Sequence, residues 1–167
     1  MTQKISLKEL GLDIGSIFGS YFLKTENMHY GYWKDQVEIR PENFAAAQEE
    51  FSLYLKERIP EGVKTILDVG CGSGELAQLL LKSGYEVDCV SPSPYLSEKV
   101  RTLTDNKAKV YETYYENLKT TARYDLVLFS ESFQYLLLEK AIFKIKKFLN
   151  KEGYLLICDF FKKDVPG

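Results

Sequence analysis

The chain has 167 residues, a length that fits one domain. Hydrophobic residues make up 45% and charged residues 28%, a balance that argues against a chain disordered as a whole. The 22 basic and 24 acidic residues leave a formal net charge of −2, which argues against a nucleic-acid partner because such binding needs a basic surface.

Cysteine and histidine are too few and too scattered to predict a metal site. Cys71, Cys89 and Cys158 lie far apart, and His29 is the single histidine, so no zinc cluster of the usual spacing is present. Each cysteine falls in or beside a predicted strand, and we expect reduced, buried thiols.

Nothing in the sequence predicts a membrane protein. The stretch after Met1 carries charges where a signal peptide needs an apolar run. The longest apolar stretches, 126–129 and 154–158, are far shorter than the ~20 residues of a membrane span. We therefore expect a soluble, cytoplasmic protein with no membrane partner.

The first 60 residues read as helices and an aromatic loop, and we predict that they form an N-terminal lid. A helix is expected over Pro41–Ile59, where Pro60 ends it. Its apolar positions recur at helical spacing and predict an inner face made of Phe44, Ala47, Phe51, Tyr54 and Leu55.

Residues 61–167 are predicted to form the core. Short apolar strands alternate here with helical stretches, a pattern typical of a parallel α/β sheet. The helices are expected at 74–83, from Ser93-Pro94 onward and at 138–150. The strands are expected at 65–69, 85–90, 108–112, 124–129 and 153–160, with the third at a sheet edge.

The most informative segment is the turn between the first strand and the first core helix, Asp68-Val-Gly-Cys-Gly-Ser-Gly74. Three alternate glycines permit a tight turn and close approach of a ligand to bare backbone, and the helix start attracts a carboxylate or phosphate. The spacing does not fit the dinucleotide pattern G-x-G-x-x-G, and Glu75 would repel a pyrophosphate. A zwitterion with an amino group tolerates that acid better, and Asp68 is placed to meet a positive amine.

This turn resembles motif I of the class I S-adenosylmethionine-dependent methyltransferases. Two later segments, 124–128 and 149–155, resemble the fourth-strand motif and the turn into the fifth strand of the same fold, in the same order. The resemblance implies a Rossmann-like three-layer α/β sandwich with a mostly parallel sheet, in which five of the usual seven strands are present beneath the helical lid. It also implies S-adenosyl-L-methionine as the cofactor.

Two further segments narrow the resemblance to one branch. Met28–Trp33 and Val90–Pro94 are similar to segments of the cyclopropane fatty acid synthases and of the tocopherol and sarcosine/dimethylglycine methyltransferases. Tyr32 and Trp33 can then face the sulfonium, since aromatic rings attract such cations, although core packing also explains them. The cofactor contacts that the resemblance implies are Tyr21, Tyr32, Trp33, Asp68, Gly70, Cys71, Gly72, Gly74, Ser91, Pro92, Tyr115 and Ser130.

The sequence departs from the family pattern at three places. Ser91 stands where most members carry an acid for the ribose, and the acid that contacts adenine aligns with Tyr114. Tyr115 or Glu116 is the expected substitute there. Tyr135 replaces a histidine that follows the fourth strand in this branch.

Three residues are candidates for catalysis. Glu131 follows the fourth strand, where open α/β sheets place their ligands, and it is the candidate for orienting or deprotonating an acceptor, with Tyr135 in support. A helix-cap role for Glu131 is the alternative. His29 is a further candidate base, and a structural role is its alternative.

The fold of this family has seven strands, whereas residue 167 lies just past the fifth. We expect the apolar fifth strand to be covered by a partner chain or by a second copy, because an exposed edge invites aggregation. The leading interpretation is a methyltransferase acting on a small molecule. The alternative is a cofactor-binding but catalytically incomplete subunit, or half of a split or oligomeric enzyme.

Overall fold

The computed structural model describes residues 7–34 and 37–161. Residues 1–6, which belong to the charged start of the chain, and the C-terminal end up to residue 167 lie outside the described residues, and two of the expectations above rest on them.

Five helices and five strands follow one another in the described chain, with short helical turns between some of them. The helices are α1 (Leu7–Phe18), α2 (Phe44–Lys56), α3 (Glu75–Lys82), α4 (Pro94–Leu103) and α5 (Leu138–Phe148). The strands are β1 (Thr65–Val69), β2 (Glu86–Ser91), β3 (Lys109–Glu112), β4 (Tyr124–Ser130) and β5 (Leu149–Cys158). A π-helical turn covers Gly19–Leu23, and 3₁₀ turns cover Pro41–Asn43, Tyr115–Asn117 and Phe133–Tyr135.

The strands form a single sheet in the order β3-β2-β1-β4-β5, and all four pairs are parallel. The chain therefore moves outward from β1 in one direction and then returns to place β4 on its other side. A cleft opens at such a switch point, beyond the carboxyl ends of the strands. The predicted α/β fold is confirmed, and β3 lies at an edge as expected.

Helices cover both faces of the sheet. On one face Ile66, Leu126 and Leu128 are buried with residues of α2, α3 and α4. On the other face, Val127 and Phe129 belong to the cluster that also contains the inner side of α5. Because the central strands are buried on both faces, their sequences are almost continuously apolar.

Helix α2 is part of these layers. Its Phe51 and Leu55 are buried in the same cluster as Leu80 of α3. Helix α2 precedes residue 60, and it packs on the sheet together with the core helices. The division of the chain into a lid and a core at residue 60 stays a prediction.

Two elements differ from the expected bounds by more than two residues. A 3₁₀ turn precedes α2, and α2 ends at Lys56, four residues before Pro60. Strand β5 begins at Leu149 and includes the expected turn, with a shift in its pairing to β4. Gly153 lies at this irregularity, where a Cβ would approach the Tyr124 carbonyl oxygen to 3.1 Å.

The other edge of the sheet is β5, whose Tyr154 and Leu155 are 47% and 42% exposed. Among the described residues, no helix combines the length and the apolar character that crossing a membrane requires.

Candidate functional site

The glycine turn joins β1 to α3, and its glycines serve two different purposes. All three have positive φ. A Cβ on Gly70 would lie 2.5 Å from the Ser132 Cβ, and one on Gly74 would lie 3.0 Å from the Val100 side chain. These two glycines thus allow the turn to pack against its neighbours. Gly72 is different, because its Cβ would meet nothing nearer than the Met28 Cβ at 3.9 Å.

Gly72 lies on a cleft of about 700 Å³ between the carboxyl ends of the strands and the N-terminal segment. This volume is in the range of small-molecule sites. The structure brings ten of the predicted site residues to the cleft lining: His29, Asp68, Gly70, Cys71, Gly72, Ser91, Pro92, Ser130, Glu131 and Tyr135.

Five predicted cofactor contacts are not among the lining residues. Gly74 faces α4, as described above. Tyr21 is 68% exposed beside Lys24. The Tyr32 ring lies 4.7 Å from that of Tyr54, and the Trp33 ring lies near Phe44, so both pack against α2. This arrangement matches the packing alternative for the aromatic segment.

Tyr115 is the fifth of these residues, and its ring is turned into the core. It is 3% exposed and makes edge contacts with Phe129 and Phe148. Tyr114, the position where the family carries the adenine acid, is 55% exposed and is not in the cleft lining. Tyr114 is the extended residue that precedes the 3₁₀ turn, and Tyr115 is the first residue of that turn.

Asp68 is the most unusual group in the cleft. Its side chain is 1% exposed, and neither carboxylate oxygen has a hydrogen-bond partner among the described residues. Burial raises its pKa to about 7. Buried carboxylates are normally paired, so this acid at the cleft wall is suited to a ligand that brings a donor or a positive charge.

Ser91 ends β2 and lies at the cleft with its side chain buried. Its Oγ accepts a hydrogen bond from the Ser93 backbone N–H at 3.3 Å, so its own hydroxyl proton can be donated to a ligand. Asp88, the other acid on this strand, does not serve the site. Its carboxylate accepts a hydrogen bond from the Tyr124 hydroxyl at 2.6 Å.

The N-terminal segment is held over the cleft by polar contacts. Lys99 of α4 pairs with Glu26 at 2.5 Å and donates to the Ser16 hydroxyl at 2.8 Å. The Ser73 hydroxyl donates to the Glu26 carbonyl oxygen at 2.6 Å. The buried Gln48 amide of α2 donates to the carbonyl oxygens of Asn27 and His29.

Glu131 connects the end of β4 to the same segment. One carboxylate oxygen accepts a hydrogen bond from the Tyr30 backbone N–H at 3.0 Å. Its φ of 51° is rare for a residue with a side chain, and such strain is often found at functional sites. Burial raises its pKa, which the Tyr30 hydrogen bond partly offsets. The carboxylate thus contacts the N-terminal segment, and the helix-cap alternative is not what the structure shows.

His29 is held on the inner side of the segment. Its ring lies 4.7 Å from Phe51, and Nδ1 lies 2.8 Å from the Tyr30 carbonyl oxygen, to which it donates. Burial lowers its pKa, so the ring is neutral at pH 7. Since Nε2 lies 3.5 Å from the Ser52 hydroxyl, both nitrogens face protein groups, which agrees with the structural alternative for His29.

Several lining residues were not predicted from the sequence. Gln48 is a polar residue on the inner face of α2, which the apolar pattern predicts from hydrophobic positions alone. Met28 belongs to the segment 28–33, where the resemblance implies cofactor contacts at Tyr32 and Trp33 and not at Met28. Others are contributed by α1 and by the turns after it and after β4, including Gly15, Phe18, Thr25 and Gln134. No local pattern marks these positions, since they meet the cleft through tertiary packing.

Residues 37–165 match a family model described as a methyltransferase domain. The chain belongs to the methyltransferase domain family. A putative methyltransferase of Geobacillus sp. (strain WCH70) is 32% identical over 76% of this chain and 54% of its own length. A malonyl-[acyl-carrier protein] O-methyltransferase of Anoxybacillus flavithermus is 32% identical over 71% of this chain and 48% of its own length.

The solved structures support the fold of this methyltransferase domain. A coclaurine N-methyltransferase, bound to N-methylheliamine and S-adenosylhomocysteine, superimposes with a TM-score of 0.66 at 19% identity. The match covers 93% of this chain and 52% of that one, so it extends into the N-terminal helices. The methyltransferase domain therefore spans about half the length of the curated relatives it matches.

Proposed function

We propose that the cleft binds S-adenosyl-L-methionine and that the protein transfers its methyl group to a small-molecule acceptor. The observation that carries this proposal is the unpartnered, buried Asp68 beside the open Gly72. The chemistry of the site fits the cofactor, because the ligand is a cation with an amino group. Membership of the methyltransferase domain family supports the same activity.

The chain's own residues account for binding. The Asp68 carboxylate would accept hydrogen bonds from the amino group, and the Ser91 hydroxyl would donate to a ribose oxygen. The N–H groups at the start of α3, with no Cβ at Gly72 in the way, are suited to the carboxylate. Cys71, Pro92 and Ser130 complete the walls on this side.

The cofactor supplies a methyl group already activated by its sulfonium, so the protein needs mainly to align the acceptor and exclude water. The N-terminal segment provides the exclusion, since Met28 and His29 line the cleft and the polar contacts hold that segment closed. Glu131 is the group placed to bind or deprotonate an acceptor, with Tyr135 beside it in the lining.

The acceptor is proposed to be a small molecule for two reasons. The net charge of −2 does not favour a nucleic acid, and the cleft of about 700 Å³ has the size of a small-molecule site. The segments 28–33 and 90–94 further support placement in the branch of the cyclopropane fatty acid synthases and the tocopherol and sarcosine/dimethylglycine methyltransferases.

We further propose that the protein acts in the cytoplasm, where its three free cysteines stay reduced. A second copy or a partner chain would cover the exposed edge of β5. Light scattering should then give a mass above the 19.2 kDa of one chain. The larger mass is expected for the chain alone if a second copy covers β5, and only after a partner chain is added if that partner covers it. A monodisperse monomer that needs no partner would contradict this part.

Calorimetric titration with S-adenosylhomocysteine tests the proposed function, with NAD as the control ligand. Micromolar or tighter binding of S-adenosylhomocysteine, and none of NAD, is the expected result. The absence of binding to a folded sample would contradict the proposal. Binding without any methyl transfer to a panel of acceptors would favour the alternative, a catalytically incomplete subunit.

A further inference from the structure

The charges in the cleft have one sign. Among the described residues that line it, Asp68 and Glu131 carry carboxylates, and none is a lysine or an arginine. His29 is the remaining basic group, and its burial keeps it neutral. The cleft therefore favours positively charged ligands and disfavours anions, since a buried like-charge pair is costly.

The two carboxylates lie on different parts of the cleft wall. Asp68 lies on β1 and precedes the glycine turn, whereas Glu131 lies beyond the end of β4 beside Ser132, Gln134 and Tyr135. The proposed cofactor accounts for the first carboxylate. The Glu131 carboxylate is then left to bind the methyl acceptor.

The Glu131 carboxylate has acceptor capacity to spare. Among the described residues, the Tyr30 N–H is its one donor, and it approaches a single oxygen. An ionised carboxylate offers about four lone-pair sites, so the other oxygen can accept from a ligand. Asp159, whose carboxylate accepts from the Gln134 N–H at 2.9 Å, adds a second negative charge near this end.

The cleft that Glu131 lines also has aromatic residues in its wall. Tyr30, Phe44 and Tyr135 line the cleft, and Phe18 of α1 lies in the same lining. Such rings bury apolar surface and attract cations over their faces. A ligand with an apolar body and a cationic group fits this combination of rings and carboxylate.

Building on the proposed function, we propose that the acceptor is an amine with an apolar body, which Glu131 binds as a cation and then deprotonates. A carboxylic acid acceptor is disfavoured by the same arrangement, because it would place a second anion beside Glu131 with no lysine or arginine in the described lining.

The proton balance requires a base at this position. Methylation of an ammonium forms one N–C bond and breaks one S–C bond, whose electron pair stays on sulfur, and it releases one proton. A protonated amine has no lone pair to form the new bond. The Glu131 carboxylate takes this proton before the transfer and passes it to water afterwards. Burial raises the pKa of Glu131, which makes it a better proton acceptor than an exposed glutamate.

Three probes that share one aromatic body test the inference. The chain, saturated with S-adenosylhomocysteine, is titrated with 2-phenylethylamine, 2-phenylethanol and 3-phenylpropionate. We expect the amine to bind at least tenfold more tightly than the carboxylate. Methyl incorporation from S-adenosylmethionine is then measured with the amine and with the carboxylate.

Glu131→Gln is the decisive variant, because the amide oxygen still accepts from Tyr30 N–H while the charge is lost. It should lower amine affinity about tenfold to hundredfold, the usual contribution of a charged hydrogen bond. Its affinity for S-adenosylhomocysteine should stay within about threefold of the original. Glu61→Gln, which removes an exposed charge outside the cleft lining, is the matched control and should change neither affinity.

The outcomes separate the two proposals. Amine preference that Glu131→Gln abolishes supports the inference. Equal binding of the three probes, tighter binding of the carboxylate, or no amine binding by a chain that holds S-adenosylhomocysteine would overturn it and leave the proposed function standing. Failure to bind S-adenosylhomocysteine would overturn the proposed function, and this inference with it.

Discussion

The sheet and the N-terminal segment, residues 7–34, are built in different ways. The central strands β1 and β4 are buried on both faces, and six of their apolar residues have 0% exposure. In α1, by contrast, Ile14, Ile17 and Phe18 are each more than half exposed. The sheet is thus held by apolar burial, whereas the segment is held by a few hydrogen bonds to groups that the sheet positions.

This difference implies unequal stability. Regions with few buried apolar contacts open at a smaller free energy than the core does. We therefore expect the N-terminal segment to open and close over the cleft while the sheet stays folded, which would let a ligand enter and leave.

The largest effect should come from truncating a core ring. Phe129→Ala removes a fully buried side chain that contacts both Tyr115 and Phe133. It should lower the free energy of unfolding by about 3–5 kcal/mol. Urea denaturation measures this, and Phe18→Ala in the N-terminal segment is the matched control, with an expected loss below about 1 kcal/mol. Equal losses at the two positions would remove the contrast between the regions.

Asp68→Asn should separate stability from ligand binding. Because burial raises the pKa of Asp68 from the ordinary 3.8 to about 7, the folded state holds the proton more tightly than the unfolded state does. The cost of the buried charge therefore grows as pH rises from about 4 through 7 and is complete above that.

The variant should raise the free energy of unfolding at pH 8 by about 1–3 kcal/mol, with little change at pH 4. It should at the same time weaken S-adenosylmethionine binding in calorimetry. A variant that is destabilised at pH 8 would show that the Asp68 carboxylate has partners that the structure lacks.

Gln48→Leu tests the hydrogen bonds that hold the segment. The substitution keeps the size of a buried side chain but removes its donors to Asn27 and His29 and its acceptor for Thr25. We expect faster hydrogen exchange over residues 25–31 and a global loss of about 1–2 kcal/mol. In Gln78→Leu, which breaks the bond to the Leu103 carbonyl oxygen and the bond from the Lys82 ammonium, exchange in the segment should be unchanged.

The smallest effect is expected at Lys99. Lys99→Met removes the pair with Glu26 and the bond to Ser16, both partly exposed. The loss should be below about 1 kcal/mol and should shrink further as salt is added. Arg101→Met on the same helix, whose partners Glu98 and Glu112 lie away from the segment, is the control for exchange over residues 25–31. A salt-independent loss would point to packing of the Lys99 stem instead.

The sequence predicted the sheet better than the cleft for a physical reason. Strands and helices are marked by local periodicity, and the glycine turn by the backbone conformations it needs. The direction of a ring is not marked in this way. Nothing local distinguishes Tyr115, which packs on Phe129, from the exposed Tyr114.

The same limit applies to polar residues inside the protein. Gln48 is 1% exposed on the inner side of α2, where an apolar pattern predicts only hydrophobic neighbours. Its partners lie about twenty residues earlier in an irregular segment, so the bonds become visible only once both are placed. Glu131 was a candidate from its place after β4, but its contact with Tyr30 spans 101 residues and required the structure.

The central position of β1 has a consequence for how the chain folds as it is made. One neighbour, β2, follows within about twenty residues, but the other, β4, begins only at Tyr124. At ~5–20 residues per second, synthesis needs several seconds to supply it. During that time one side of β1 exposes an apolar edge with unpaired backbone groups. A nascent chain of this protein should therefore depend on chaperones until β4 emerges, and slower translation between residues 70 and 124 should increase aggregation.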